Sequence, residues 1–404
     1  MHSLLKRLGF GALFLCGIQY SFAQENNLLQ DWEVNSYLEL ESRFFQQSPA
    51  HVGQDGAVGW SVAVEPEIYR EWSGGDYQFM ATPFLRLDMR DDERSHFDLR
   101  EFYFQKLSNN WDAKVGVSKV FWGVTESVHL VDVINQIDLV ENIDFEEKLG
   151  QPMVQFNYLF DQGTLSLFYL PYFRERTFPG QEGRFRFDPL LDYDYATYEN
   201  DDEEWHQDFA IRWAQVLGDF DLGVYYFRGT SRDPMIQIRD GGSRLGPHYP
   251  VINQFGLDSQ WTREGWLLKL EAIHRSGMGK DFHAISGGFE YTFYQIFGSI
   301  LDAGTLVEYH YDSRNDNALT PFNHDFFAGT RLTFNDENDT ALLAGGFWDH
   351  KNDTSAIRLE FERRFGSNYT VEIELQKFLK TSPTDFLHAF RRDSFLEVSV
   401  RRYF

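Results

Sequence analysis

The chain has 404 residues, with 62 acidic and 37 basic side chains and a formal net charge of −25. Such acidity argues against a nucleic-acid partner, because the phosphates would be repelled. A mean hydropathy of −0.44 is typical of a soluble protein. A content of 17% aromatic residues and 32 glycines is unusual for an ordinary enzyme.

The N-terminus has the pattern of a secretory signal peptide. Lys6 and Arg7 precede an apolar run at 8–18, and the small residues Ser21 and Ala23 follow it. A helix that spans a bilayer needs about 20 apolar residues, and this run is shorter. We therefore expect a signal peptide over residues 1–23 and a mature chain over 24–404. A lipoprotein anchor on Cys16, the only cysteine, is an alternative that the large neighbouring Leu15 disfavours.

The mature sequence consists of segments of roughly ten residues in which apolar and polar side chains alternate, as in a β-strand with one apolar face. In the first segment, Trp32, Val34, Leu38 and Leu40 alternate with Glu33, Asn35, Glu39 and Glu41. After the signal, no apolar stretch is long enough for a transmembrane helix. The pattern predicts an all-β fold, a transmembrane antiparallel up-and-down β-barrel. We count about 18 strands, with 16 as the alternative.

The connections alternate between short and long. Five short ones, at 72–76, 161–163, 218–219, 263–265 and 365–368, carry the Gly, Asn and Asp of tight turns and are expected to be periplasmic. The interleaved connections at 119–150, 174–204, 229–252 and 379–393 are long and are expected to be extracellular. The segments 97–107 and 341–349 alternate less cleanly, which suggests bulges. A β-sandwich would also alternate, but it does not predict this rhythm.

The chain ends with Phe395–Phe404, in which Leu396, Val398, Val400 and Phe404 share one phase. This ending resembles the C-terminal strand of outer-membrane proteins, with Tyr403 and Phe404 as the signal that the barrel-assembly machinery reads. The segment Val115–Leu139 resembles the loop entry of single-chain porin-like proteins. The resemblance is to the bacterial outer-membrane porin superfamily. It implies a place in the outer membrane of a Gram-negative bacterium, contact with outer-membrane lipid and lipopolysaccharide, and a monomer or homotrimer.

In such porins the third outer loop folds into the lumen, and here that loop is 119–150. We expect Trp122 and Ile134 to anchor it to the wall. Four of its residues are expected to offer polar groups to a permeant, namely Glu126, Asp132, Asn135 and Asp138. The alternative is an outer loop whose short amphipathic helix packs on the rim.

Charged residues in the polar phase are expected to line the pore: Arg86, Arg100, Lys114, Arg212, Lys269, Glu271, Arg275, Glu290, Asp302, Glu308, Arg331, Glu372 and Glu374. A lumen with charges of both signs compensates ions that enter low-dielectric surroundings. The alternative is that opposed charges bridge the lumen and fill it. The early strands lean basic and the late strands acidic, so we expect a field across the constriction.

The sequence predicts a porin, a passive channel for small hydrophilic solutes or ions, with no cofactor and no metal. The first alternative is a plugged or ligand-binding barrel, with a structural role or a hydrophobic ligand. The second is an outer-membrane lipid hydrolase. We expect no enzyme, because the sequence contains neither HExxH nor GxSxG and no histidine pairs with a serine in a recognisable motif.

Overall fold

The computed structural model describes residues 31–54, 56–315, 318 and 320–404. The expected signal peptide lies outside the described residues. Within them the structure is built almost entirely from antiparallel strands, as the alternation predicts.

Eighteen strands form one sheet in the described part of the chain. The first nine in chain order are β1 Glu33–Phe45, β2 Val58–Trp72, β3 Tyr77–Asp88, β4 Phe97–Leu107, β5 Trp111–Ser118, β6 Gln151–Phe160, β7 Gly163–Leu170, β9 Asp208–Leu217 and β10 Phe220–Thr230. The other nine are β13 Val251–Arg263, β14 Trp266–Ser276, β15 Phe282–Phe293, β16 Asp302–Asp312, β17 His324–Thr333, β18 Ala341–Asp349, β19 Ser355–Phe365, β20 Tyr369–Lys380 and β21 Phe395–Tyr403.

Each of these strands pairs antiparallel with its neighbours in chain order, and the sheet closes on itself because β1 pairs with β21 from Tyr37↔Tyr403 to Phe45↔Phe395. A second small sheet lies in the long loops. It contains β8 Thr197–Tyr198, β11 Met235–Arg239 and β12 Arg244–Tyr249, with β8 parallel to β12. The residues expected as loops at 174–204 and 229–252 thus include strands of their own. Residues 229 and 230 still belong to β10.

Two register shifts interrupt the pairing among the described strands. One lies where β3 meets β4, between Thr82 and Pro83, as expected for the segment 97–107. The other lies between β19 and β20, at Ser355 and Ala356. The expectation of a bulge at 341–349 is wrong, since β18 pairs without a shift on both sides. Its alternation is weak because its inner face is also apolar.

The outer face of the barrel is a band of large apolar side chains. Exposed members come from around the ring, among them Val34, Leu40, Trp60, Leu85, Phe102, Val115, Val154, Leu167, Ile211, Leu268, Leu270, Ile285, Phe326, Trp348, Ile357 and Val400. Water would not favour such a surface, whereas the hydrocarbon layer would. The chain is therefore a transmembrane β-barrel. Among the described residues, no helix is both long and apolar enough to cross a bilayer.

The two ends of the barrel differ as the sequence predicts. The five connections expected to be periplasmic all lie at one end, and the segments 119–150, 171–207, 231–250 and 381–394 lie at the other. At the short turns, Gly218 and Gly366 adopt φ of 65° and 64°, the left-handed region that glycine enters without steric cost.

Candidate functional site

The loop 119–150, which joins β5 to β6, lies inside the barrel. Its first half carries the apolar side chains of Trp122, Val131, Val133 and Ile134, which are at most 8% exposed. They pack with inward-facing residues of β6, β7, β9, β10 and β13 to β15. The Trp122 ring lies 4.7 Å from the Tyr225 ring and 5.6 Å from the Phe168 ring. Burial of this apolar face fixes the loop against one side of the lumen.

Two wall carboxylates bind the backbone of the loop tip. Glu271 on β14 accepts hydrogen bonds from the N–H groups of Val124 (2.6 Å) and Thr125 (2.9 Å), and from that of Val131 (3.2 Å). Glu308 on β16 accepts from the N–H groups of Glu126 (2.6 Å) and Ser127 (3.0 Å). Hydrogen bonds to a charged acceptor are the stronger kind. The loop tip is therefore held by groups that the sequence places more than a hundred residues away.

Of the four loop residues expected to face a permeant, Glu126 pairs with two cations of the lumen wall. Its carboxylate lies 2.5 Å from the Arg331 guanidinium and 3.4 Å from Lys269 Nζ. The second half of the loop presents further acidic groups to the lumen, namely Glu141, Asp144, Glu146 and Glu147.

The side chains of the other three residues hold the loop in its conformation. Asp132 accepts from the N–H groups of Trp122 and Gly123 and pairs with Lys148. Asn135 bonds Val120 N–H and the carbonyls of Ser118 and Leu149. Asp138 is fully buried and bonds Thr177 and Arg100. These side chains were expected to offer polar groups to a permeant, and Asp132 and Asn135 do border a cavity beside the loop. Their hydrogen bonds, however, go to the loop, because a loop inside a lumen has backbone groups of its own to satisfy.

Beside the loop tip, Ser127 Oγ lies 2.8 Å from His310 Nε2, and His310 Nδ1 lies 2.8 Å from Ser286 Oγ. The sequence showed no such pair. A hydrolytic serine also needs backbone N–H donors for the oxyanion. Here the N–H groups of Glu126 and Ser127 already donate to Glu308, which also accepts from the Ser127 hydroxyl. The arrangement fixes the loop.

His96, Asp138 and Glu141 also meet under the loop, close enough to hold a metal ion. His96 Nε2 lies 3.5 Å from Asp138 and 3.7 Å from Glu141. Two guanidinium groups contact the same carboxylates, Arg100 at 3.2 Å and Arg86 at 2.9 Å. Burial lowers the pKa of His96, but the Asp138 carboxylate raises it more, so the net pKa lies above the usual value. A protonated histidine fits this cluster better than a cation flanked by two arginines.

Three adjoining cavities of about 360, 380 and 380 Å³ remain beside the loop, and Asp144 borders all three. The third, which we call the acidic cavity, is bordered by ten carboxyl groups and six guanidinium groups. Five of the expected pore-lining residues border one of the three: Arg86, Arg275, Arg331, Glu372 and Glu374.

The other expected pore residues serve mainly to hold the inner structure together. Glu271 and Glu308 bind the loop tip, Lys269 pairs with Glu126, Arg100 with Asp138, and Arg212 with Asp258 at 2.5 Å. Glu290 lies 3.9 Å from Arg331, and Lys114 Nζ lies 4.3 Å from the Tyr103 ring centre. Asp302 lies at a short turn, where it accepts from Gln295 N–H and the Asn335 amide.

Arg358 on β19 was not among the expected pore-lining residues. Its guanidinium lies 2.5 Å from Glu360, 2.7 Å from Asp144 and 3.4 Å from Glu374. The alternating segment 355–365 places Arg358 and Glu360 in one phase, and the loop sequence at 141–147 is rich in acid. Both signals were available.

Comparisons with known proteins add little to this picture. The sequence matches no protein-family model and no curated protein. Among solved structures, a mutant of the Rh. blastica porin aligns with a TM-score of 0.45 and 13% identity over 92% of this chain and all of that one. OmpT, an outer membrane protein of Vibrio cholerae in a trimer form, aligns with a TM-score of 0.45 and 11% identity over 92% of this chain and 98% of that one. Likeness at this level assigns no function, and the fold rests on the strand pairing itself.

Proposed function

We propose that this barrel is a passive diffusion channel for small hydrophilic solutes and ions, with a preference for cations, and that it is not an enzyme. The observation that carries the proposal is the arrangement of space around the loop. The loop is fixed to one side of the lumen and leaves three adjoining cavities that Asp144 borders together. Charged side chains border this space, as a water-filled path requires.

The preference for cations follows from the unequal charges around the acidic cavity. Its carboxyl groups outnumber its guanidinium groups by ten to six. Lumenal charge of one sign raises the local concentration of counter-ions and lowers that of co-ions. Loop residues Asp144 and Glu147 contribute to this excess together with the wall residues Glu360 and Glu372.

The test is planar-bilayer recording of the refolded mature protein across a KCl gradient. We expect stepwise conductance and a reversal potential on the cation side. Asp144→Lys should shift the reversal potential towards anions. The matched control is Asp161→Lys, in a short turn at the far end of the barrel, which should leave it unchanged. Equal potentials for the two variants, or an anion-selective wild type, would contradict the proposal.

A second candidate is a closed barrel, because one long loop crosses the mouth. The loop 171–207 leaves β7, and β2 to β6 separate that strand from β1. Nevertheless its Arg184 bonds Asp393 at 2.8 Å and the carbonyls of Gln47 and Arg392. Those residues lie in the loops beside β1 and β21. If the barrel is closed in this way, the wild type gives no steps, and Arg184→Ala produces them by releasing the loop.

We also propose that Tyr403 and Phe404 form the signal for the barrel-assembly machinery. Both side chains are exposed, and Phe404 N–H donates to Ser36 O at the seam between the first and last strands. Replacing both by alanine should lower the yield of barrel in the outer membrane. A replacement of Leu396, on the same strand, by valine serves as the control.

A further inference from the structure

One part of the lumen wall is apolar and aromatic, which is unusual for a water-filled pore. Phe322, Phe327, Leu343, Phe347 and Phe378 border one cavity of about 380 Å³ next to the loop tip. We call this set the aromatic recess. Phe327 and Phe378 are each 8% exposed, and the ring of Phe322 lies 5.8 Å from that of Phe347. A volume of this size suits a small organic ligand.

Two glycines shape the recess. Gly329 on β17 faces Gly345 on β18 in the register of the sheet. A Cβ atom at Gly345 would lie 2.7 Å from Cζ of Phe327, so the ring lies against bare backbone. With side chains at these two positions the wall would project into the lumen. The two glycines thus leave room for the Phe327 ring where an inward strand face normally carries polar side chains.

The edge of the recess has an excess of negative charge. Arg358 is shared by three carboxylates, at 2.5 Å from Glu360, 2.7 Å from Asp144 and 3.4 Å from Glu374. Glu360 remains 42% exposed in its side chain. One guanidinium is therefore shared by three acids, two of them largely buried and one, Glu360, open to the cavity.

The other charges nearby do not cancel this excess. Burial lowers the pKa of His129, but the carboxylates of Glu146 and Glu271 raise it to about 10, so His129 is a cation that Glu146 offsets. Glu126 is engaged by Lys269 and Arg331. Among the acids around Arg358, Glu360 is the most exposed, and its carboxylate is the one that remains open to a ligand.

We propose that the aromatic recess binds an organic cation that has an apolar body, such as an aromatic or alkyl ammonium ion. The body would lie among the phenylalanine rings, and the ammonium group would face the rings and the carboxylates around Arg358. A cation over an aromatic face and burial of apolar surface both favour such a ligand. An inorganic cation gains nothing from the rings, and an organic anion is repelled at the edge. This inference rests on the proposed channel and names a class of solute that it would select.

Binding can be tested apart from transport. Benzyltrimethylammonium is titrated by calorimetry into the purified mature protein in detergent, with benzoate as the anion of similar size. We expect the ammonium ion to bind and benzoate to bind at least tenfold more weakly. Phe327→Leu and Glu360→Gln should each weaken ammonium binding by about threefold to tenfold. Phe326→Leu, one residue away on the lipid face, is the matched control and should bind as the wild type does.

Equal affinity for benzoate, or equal binding by Phe327→Leu and Phe326→Leu, would overturn the recess proposal. Planar-bilayer recording of the same samples separates the two proposals. Conductance without ammonium binding refutes the recess alone. Ammonium binding without conductance supports the recess and refutes the channel. A third variant, Gly345→Ala, removes no ring and no charge but displaces the Phe327 ring, and it should also weaken binding.

Discussion

Two walls of the same lumen use charge in opposite ways. On the wall of β1, β3 and the adjoining loop, the Arg86 guanidinium bonds Glu39, Glu41 and Glu141 at 2.9 Å each, and all four side chains are buried. On the wall formed by β17 to β20, a single arginine, Arg358, contacts three carboxyl groups next to the phenylalanine rings of the aromatic recess. On the first wall the charged side chains hold the loop in place. On the second wall a carboxylate stays open to a solute. The presence of a charge in the lumen therefore does not by itself identify the residues that determine ion selectivity.

The expected field between a basic early wall and an acidic late wall is weaker than the sequence suggests. The arginines of the early wall are there, but Arg43 pairs with Glu397 and Glu41, and Arg94 with Glu41 and Asp88. Each positive charge has carboxylates within a few ångströms, so its effect at a distance is largely cancelled. The excess on the late wall is the charge that an ion meets.

The largest effect is expected from Arg86→Ala on the early wall. It leaves Glu39, Glu41 and Glu141 buried without their shared partner, which should lower the free energy of unfolding by about 3–5 kcal/mol. Urea unfolding in lipid vesicles measures this change. The control is Arg364→Ala, whose ion pair with Asp339 is exposed and should matter little. If Arg86→Ala lowered the free energy of unfolding by less than the control does, the charges of the early wall would not be holding the loop.

Glu271→Gln should have the next largest effect, because it removes the charge from an acceptor of three backbone N–H groups. We expect a loss of about 1–3 kcal/mol and a loosened loop tip. A cysteine introduced as Val131→Cys, at a fully buried position, reports the loosening by its rate of maleimide labelling. The rate should rise at least severalfold with Glu271→Gln and stay unchanged with the control Glu290→Gln. Equal rates would mean that apolar packing alone holds the loop.

Arg358→Gln on the late wall should change selectivity rather than stability. It removes the one cation among three acids, so the ratio of K⁺ to Cl⁻ permeability should rise by roughly twofold to fivefold. Reversal potentials in a KCl gradient measure the ratio, with Arg363→Gln near the short turns as the control. An unchanged or lower ratio would show that the charges around Arg358 do not set the selectivity.

The smallest effect is expected from Asp302→Asn. Although its phase in the sequence predicts a pore-lining residue, its carboxylate bonds a turn and lies apart from both walls. The loss in unfolding free energy should be about 1 kcal/mol, and the reversal potential should not change. A shifted reversal potential would show that Asp302 lines the pore, as its phase in the sequence predicts.

The barrel was predictable because lipid imposes a strict rule on every second side chain. The phase of Val34 and Leu40 against Glu39 and Glu41 appears unchanged in the structure, with the first pair exposed to lipid and the second pair buried. The rule failed for 341–349, where Leu343, Gly345 and Phe347 make the inner face apolar too. The weak alternation in this segment therefore reflects the aromatic recess, and no bulge is present in β18.

The use of each polar side chain was not predictable in the same way. Asp132, Asn135 and Asp138 look like the free acids and amide of a constriction, but their partners include the backbone of the loop itself and Thr177. Glu271 and Thr125 are 146 positions apart. Pairing over such a distance depends on the closed ring, and nothing local in the sequence reports it.

The seam between β1 and β21 has a consequence for biogenesis. On one edge of β1, the nine residues from Tyr37 to Phe45 pair with the segment from Phe395 to Tyr403, while the other edge pairs with β2. Until that segment arrives, β1 and β20 each present an unsatisfied backbone edge that could template aggregation. The barrel can therefore close only after β21 has been synthesised, and a chain truncated before β21 would keep both edges open.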